Sequence, residues 1–408
     1  MNRKAPISKL ESDAVDALLR HRGIIFFVCI LCMGVIARRA GQSMIAGEMK
    51  GYLVPWFNYF AERGFRGLSE QVGDYNLLYQ TIIALMAQIC ARVPIGCVHL
   101  YKLISGVFDF LLALAGASFV ADACGEKRFD FKFDLTFGLI YLLPTVVLNS
   151  GYWGQCDSAW TLFCVLTLHA LYRERFGWAF AFLGLAFAFK FQAVFFLPFV
   201  FAHYFKKRTY SISLFALAVC VFWACGIVAY LYGRELTAPF HIYAAQTNTW
   251  PSMWMNYHSP WMLVGEDYKL LSKYAILVAL CACGAGLNSV LQDKFRLDTT
   301  EDYLVCSSWF VWTCLALLPA MHERYTYLLD ILLLLLAVCN VKYLPFFAGS
   351  AILSTITYGN YLFKIGKVTK VGALAMLVLW IAYTASCFGA LGREGIPQET
   401  YDGEEREP

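Results

Sequence analysis

The sequence predicts an all-α, polytopic membrane protein with about twelve transmembrane helices. Three observations predict it. Of the 408 residues, 59% are hydrophobic and only 15% are charged, whereas a soluble domain carries about 25% charged residues. Mean hydropathy is +0.56. The apolar residues are also gathered into runs, and about 20 helical residues cross a hydrocarbon core of about 30 Å. These features exclude a soluble, disordered or fibrous protein. The net charge of +4 is too small to suggest a nucleic-acid partner. Most of the fifteen cysteines lie inside apolar runs (Cys29, Cys32, Cys164, Cys220, Cys281, Cys283), where they act as small hydrophobes. No repeated CxxC spacing marks a zinc or disulfide framework.

The first run begins near Gly23. Arg20, His21 and Arg22 precede it, Arg38 and Arg39 follow it, and no small-residue cleavage site is present. It reads as an uncleaved anchor behind a cytoplasmic tail, residues 1–22. Further runs begin near His99, Asp134, Ala159, Gly177, Ala193 and Ser211. Together they form a seven-span module, residues 23–231, with a long external loop over 39–96. A second external loop covers 232–269. Runs from Leu270, Tyr303, Tyr325, Pro345 and Val371 make a five-span region, residues 270–392, before a cytoplasmic tail, 393–408.

The stretch Tyr75 to Val93 is apolar enough to be a thirteenth span. Charge decides against it. Lys206, Lys207, Arg208, Arg173 and Arg175, and the loop holding Lys127, Arg128 and Lys132, all belong inside under the positive-inside rule. Counting forward from the basic N-terminus agrees with them only if 75–93 does not cross. It is therefore expected as a helix lying on the outer side.

The topology rests on basic loops, so the acidic and mixed motifs test it separately. Glu48 and Asp74 fall in the first external loop. Asp157, in Gly151-Tyr152-Trp153-Gly154-Gln155-Cys156-Asp157-Ser158, falls at the next external turn. Lys190-Phe191-Gln192 and Met321-His322-Glu323-Arg324-Tyr325 fall outside as well. Ionisable groups at the edge of apolar spans are costly to desolvate and tend to serve a cavity. A carboxylate there can take a proton from a hydroxyl, and Arg, Lys or His can neutralise phosphate oxygens. The set suits group transfer from a phosphate-activated donor, and proton-coupled transport almost as well.

Here the residues resemble a family. Tyr-Trp-Gly-Gln-Cys-Asp-Ser, Phe-Lys-Phe-Gln-Ala-Val-Phe-Phe-Leu-Pro, and Met-His-Glu-Arg-Tyr with Asp330 five residues on are similar to motifs of the bacterial GT-C integral-membrane glycosyltransferases related to the GPI-anchor mannosyltransferases. The resemblance runs over roughly Gly23 to Asp330. It implies a GT-C-type fold, a long first external loop bearing the catalytic acid, and helices lying on the outer surface. It also implies an inverting transfer from a polyprenyl-phosphate hexose, mannose first, to a lipid-linked or surface glycan on the outer face. The partners implied are that donor, that acceptor and membrane lipids.

Carried over by position, the first-loop acid ahead of Tyr52-Leu53-Val54-Pro55-Trp56 is Glu48, where the family usually has Asp. Asp74, in Gly73-Asp74-Tyr75-Asn76, matches the second acidic motif of the loop, so either Glu48 or Asp74 is the implied base. Asp157 matches the acid of the following turn. Tyr75, Gln155, Lys190, Gln192, His322, Glu323, Arg324 and Tyr325 fall on positions implied to contact donor phosphate or sugar. No organic cofactor is implied. Some of the superfamily hold Mg or Mn between paired carboxylates, for which Glu48 and Asp157 are the candidates here, but the motifs lie nearer the metal-free branch.

Each residue also has a structural alternative. Asp74 would cap a helix starting at Tyr75, and Asp157 one starting at Ser158. Lys190 would snorkel to the interface, and His322-Glu323-Arg324 would be an internal ion pair fixing a turn. His99, His169 and His203 are expected to be structural, and Trp250, Trp254 and Trp261 to form an interfacial belt. Two rival functions remain open: a lipid-linked sugar flippase or transporter, and a non-catalytic subunit of a glycosylation complex.

Overall fold

A computed structural model describes residues 8–247, 249–293 and 295–391. The expected C-terminal tail and the start of the N-terminal tail lie outside the described residues. The chain is almost wholly helical. Helix α1 (Lys9–Arg20) opens on a capping box between Ser8 and Glu11, which satisfies two otherwise unpaired N–H groups. Then come α2 (Arg22–Ala40), α3 (Val54–Arg63), α4 (Leu77–Cys90) and α5 (Cys97–Cys124). Helix α6 (Phe131–Tyr141) is followed by α7 (Pro144–Val147), which runs into a π-turn over Leu148–Trp153. Pro144 lacks an N–H and forces Leu143 out of helical geometry, so the axis bends by 50°.

Next are α8 (Asp157–Tyr172), α9 (Phe176–Phe189), α10 (Leu197–Lys207), α11 (Ser213–Ala224), α12 (Ile227–Leu231) and α13 (Ala238–Gln246). The C-terminal part holds α14 (Tyr268–Leu291), α15 (Thr300–Leu317), α16 (Tyr327–Cys339), α17 (Leu344–Phe363) and α18 (Lys370–Leu391). Two short strands, β1 (Trp254–Met255) and β2 (Met321–His322), pair in parallel.

Each of the twelve apolar runs lies on a helix. By length and composition α2, α5, α14 and α18 can each cross a membrane, and the bent pair of α6 with 144–153 would make a fifth. The segment at 75–93 is a 14-residue helix, α4, packed against α3, α5, α9 and α12.

The core runs through both halves of the chain. Helix α16 is buried from Tyr327 to Leu336 and packs on α5, α6 and α8 as well as on α15 and α17. The helices of residues 23–231 and those of residues 270–391 therefore share one apolar interior.

Helices of this length give the bundle two polar ends. Asp157 opens α8 and Arg173 follows its last residue, a span of about 24 Å at 1.5 Å per residue. At the far end, Asp122 pairs with His169 (2.9 Å) and with Arg173, Lys207 with Asp298 (2.7 Å), and Lys342 with Glu301 (2.6 Å). His203 donates or accepts with the hydroxyls of Tyr210 and Tyr303 near the same end. His169 and His203 thus have the structural partners expected of them. The other end carries the site.

Candidate functional site

The site is assembled by backbone that departs from regular helix. The first loop is held by the start of α5: the Lys102 ammonium donates to the carbonyls of Gly41 (2.7 Å) and Met44 (2.5 Å), and the Tyr101 hydroxyl to that of Leu53 (2.9 Å). Among the described residues buried Lys102 has no carboxylate partner, its charge met by the carbonyl at the C-terminal end of α2 and one just beyond it. Gly41 lies so close to Gly151 that a Cβ would sit 2.6 Å from its carbonyl oxygen. This fixes Glu48 just ahead of a π-turn over Met49–Leu53.

The π-turn before α8 ends at Gly154, whose φ of 78° suits glycine. A Cβ there would lie 2.1 Å from the Met49 methyl. Because there is none, Gln155 comes against the Glu48 loop. Gln155 Nε2 donates to Glu48 Oε2 at 2.8 Å, and the Tyr75 hydroxyl donates to Gln155 Oε1 at 2.8 Å. Arg324 Nη1 donates to the same Glu48 oxygen at 2.7 Å.

Asp157 is the most enclosed acid of the site, 1% exposed. Its Oδ1 accepts from Lys190 Nζ (2.5 Å) and Trp160 Nε1 (3.2 Å), and its Oδ2 from Asn149 Nδ2 (2.8 Å). Arg324 Nε stands 3.6 Å from Oδ2. Lys190 reaches it because α9 stops there and the backbone turns extended, with φ −154° and ψ 142°. Its ammonium lies 5.5 Å from the Tyr75 ring centroid, and the Arg324 guanidinium 5.2 Å from that of Trp153, both within cation–π range.

Two cations, Lys190 and Arg324, therefore stand among three carboxyls: Glu48, Asp157 and Glu323, whose Oε1 is 3.9 Å from Arg324. Burial pushes Glu323 up to about 7, against the pull of Arg324. Burial, with Arg324 and Lys190 nearby, brings His322 down to about 3, so the imidazole is neutral near pH 7. Burial also disfavours the Arg324 charge, but Glu48 and the other acids outweigh it and hold the guanidinium well above its usual value. Asp74 lies at the rim. Desolvation by the neighbouring walls raises it, offset in part by Arg324 and Lys190, and because its surface stays open to solvent water weakens the effect.

The structure thus brings Glu48, Tyr75, Gln155, Asp157, Lys190, Glu323 and Arg324 into contact, with Asp74 at the edge. His322 and Tyr325 lie beside them, their rings tilted at 47° with centroids 5.0 Å apart, and Gln192 lies close to the Tyr325 hydroxyl. Several local expectations change. Asn76, not Asp74, caps α4, accepting from the Leu77 N–H. Asp157 is the first residue of α8 rather than its cap. Lys190 is 3% exposed and ion-paired, not snorkelling. Glu48 and Asp157 each face a cation of the protein, and among the described residues no three His, Cys, Asp or Glu side chains are grouped to hold a metal ion.

Other partners were missed in the sequence. Asn149 binds Asp157 and also donates to the Tyr358 hydroxyl at 3.0 Å. The polar pair Asn149-Ser150 inside an apolar run was the available signal, since such groups need buried partners. Ser150 turns to Asp109, which pairs with Arg38 at 2.7 Å. The β1–β2 pairing, which joins the second loop to the His322 segment, had no signal in two residues of sequence. The same loop reaches the first one, with Asn76 Nδ2 donating to the Pro239 carbonyl at 3.0 Å and Gln246 to that of Asp74.

An open groove of about 640 Å³ lined by Arg175, Phe176, Trp178 and Leu217 lies at the far end, where α9 begins, and holds no second ionisable group. Fold and cluster together define an all-helical protein of membrane type with a compact, mutually paired charge cluster buried at one end. No model of a known protein family matches the chain, and no characterised protein matches its sequence.

Proposed function

We propose that this protein is a GT-C-type membrane glycosyltransferase. It moves a hexose, mannose first, from a polyprenyl-phosphate sugar to a lipid-linked or cell-surface glycan. In this reading the chain crosses the cell membrane twelve times, the N-terminus is cytoplasmic and the charge cluster faces outward. The observation that carries it is the meeting of Glu48, Asp157, Lys190 and Arg324, from four separate segments, in one bonded group. The ion pairs at the far end, on the loops with the clearest basic character, support the orientation.

The chemistry needs a base and an anion site. Glu48 Oε2 is held by two donors, while Oε1 has no hydrogen-bond partner among the described residues and is free to take the acceptor hydroxyl's proton. The acceptor oxygen then bonds to the anomeric carbon as its bond to the phosphate oxygen breaks, with inversion, and polyprenyl phosphate leaves. In this reading Lys190 and Arg324 stabilise the departing phosphate. Asp74 is the other candidate base. Mg or Mn is not part of the proposed reaction.

A transporter reading has its own observation: Asp109 and Asp330 are buried within the bundle, each with one carboxylate oxygen unpartnered. Buried acids of this kind serve proton relays in transporters. A non-catalytic subunit would account for Glu48 standing where the family has Asp.

Purified protein in nanodiscs, given labelled polyprenyl-phosphate mannose or glucose and a membrane glycan extract, separates these readings. The transferase moves label to the extract, and Glu48→Gln or Asp74→Asn abolishes the transfer while Glu48→Asp retains it. Passage of intact donor across proteoliposomes without loss of sugar supports the transporter.

A further inference from the structure

The family resemblance implies substrate contacts for Tyr75 and Gln155, and in the structure each is also hydrogen-bonded within the protein. Gln155 has one acceptor and one donor group directed at two neighbours. The neighbour at 2.8 Å from its nitrogen is the Glu48 carboxylate, which only accepts. The neighbour at 2.8 Å from its oxygen is the Tyr75 hydroxyl, which must then donate. Turning the amide over would set its oxygen against the carboxylate, so Glu48 fixes which way the amide faces. The Tyr75 hydroxyl then donates to the amide oxygen and holds the amide in place against Glu48.

Tyr75 is itself well anchored. Its carbonyl accepts from Gln80 Nε2 at 2.7 Å, and its ring meets that of Trp56 edge-on at 5.5 Å. The Lys190 ammonium lies over the same ring. Burial holds the phenol well above its usual value, so it remains a donor.

Glu48 Oε2 has one further donor, Arg324. Arg324 also faces Asp157 and Glu323, and an anionic ligand reaching the cluster would compete with Glu48 for it. The Gln155 amide carries no charge, so an anion has little hold on it. We propose that Tyr75 and Gln155 form a positioning relay that keeps the Glu48 carboxylate oriented when Arg324 turns to an anionic substrate. The role in turnover rests on the transferase reading above; the hold on Glu48 does not.

The test reads Glu48 directly. A hydrophobic carbodiimide reacts with protonated carboxyls, so labelling of the Glu48 peptide against pH, followed by mass spectrometry on the full chain in nanodiscs, gives its protonation midpoint. The Glu48→Gln variant marks the background. Gln155→Met removes the donor at similar volume, Tyr75→Phe removes only a hydroxyl, and thermal unfolding checks that each remains folded.

A hydrogen bond to a charged group is worth enough to move the midpoint by about one unit. Losing that donor destabilises the carboxylate, so the midpoint rises by about one unit in Gln155→Met and by less in Tyr75→Phe. The double variant matches Gln155→Met alone, because Tyr75 acts through the amide. In the transfer assay the acid limb of the pH–rate profile moves up by the same amount, kcat falls and KM stays within about twofold.

An unmoved midpoint in both folded variants overturns the relay. So does a raised KM with unchanged kcat and midpoint, which would make them substrate contacts. If the wild type transfers no sugar but the midpoints move as stated, the transferase reading fails and the control of Glu48 stands.

Discussion

The two ends of the helix bundle carry similar residues in opposite circumstances. At the far end the pairs are open to water: Lys207 and Asp298 have side chains 25% and 60% exposed, and Lys342 and Glu301 41% and 32%. At the site end Lys190 and Asp157 are 3% and 1% exposed, and Arg324 is 11%. The far-end pairs have their partners in solvent and in each other. At the site end Glu323 Oε1, Arg324 Nε, Asn149 Oδ1 and Gln192 Oε1 are buried without a hydrogen bond. Burying a polar atom without a partner is costly, so the site end carries a strain that the far-end pairs do not.

The largest expected difference is in stability. Removing one member of a buried pair leaves an uncompensated charge and costs about 3–5 kcal/mol. Asp157→Ala should lower the unfolding temperature sharply, whereas Asp298→Ala should cost under about 1 kcal/mol, as exposed pairs do. Equal effects in a thermal unfolding assay would erase the distinction between the ends.

Arginine chemistry sharpens it next. Arg324 engages Glu48 through Nη1 and approaches Asp157 through Nε, a planar fork that lysine cannot copy. Arg324→Lys should reduce turnover by roughly a hundredfold, on the scale of losing one preorganised donor to transition-state charge. Lys207→Arg at the far end should leave turnover unchanged.

A third difference is in pH. Because Glu323 is raised to about 7, its contribution to stability is fully present below its unfolded value near 4.5 and is lost as pH rises through about 7. The change is on the order of 3 kcal/mol. Glu323→Gln should remove this loss relative to the wild type, and unfolding temperatures taken from pH 5 to 9 would show it. His322, lowered to about 3 by burial, acts in the opposite sense: its unfolded imidazole takes up a proton below about 6.5, so it adds stability as pH rises from 5 to about 6.5 and nothing above that.

The smallest effect is at Tyr358, whose hydroxyl accepts from Asn149. Tyr358→Phe should cost about 1 kcal/mol and slightly loosen Asp157, seen as a modest loss of turnover with little change in unfolding temperature.

Much of this was legible in the sequence because hydropathy and charge act locally. The apolar runs give the helices, and the polar motifs that interrupt them, from Glu48 to Tyr325, are the ones that meet. What could not be read depends on departures from regular backbone. The start of α4 at Leu77 follows from the Asn76 side chain taking the cap that Asp74 was expected to fill. The approach of Asn149 to Asp157 follows from a π-turn, which shifts side-chain phase relative to an α-helix. The burial of Lys190 follows from one extended residue at the end of α9. Hydropathy is blind to such changes of direction.

The central claim is that the buried cluster transfers sugar. It is tested most directly by incubating the nanodisc-embedded wild type and its folded Glu48→Gln, Asp74→Asn and Asp157→Asn variants with labelled polyprenyl-phosphate mannose or glucose and a glycan extract. Label should move to the glycan with the wild type and should cease to move in Asp157→Asn and in at least one of the other two. Release of intact donor across the bilayer, or transfer that survives all three substitutions, would contradict it.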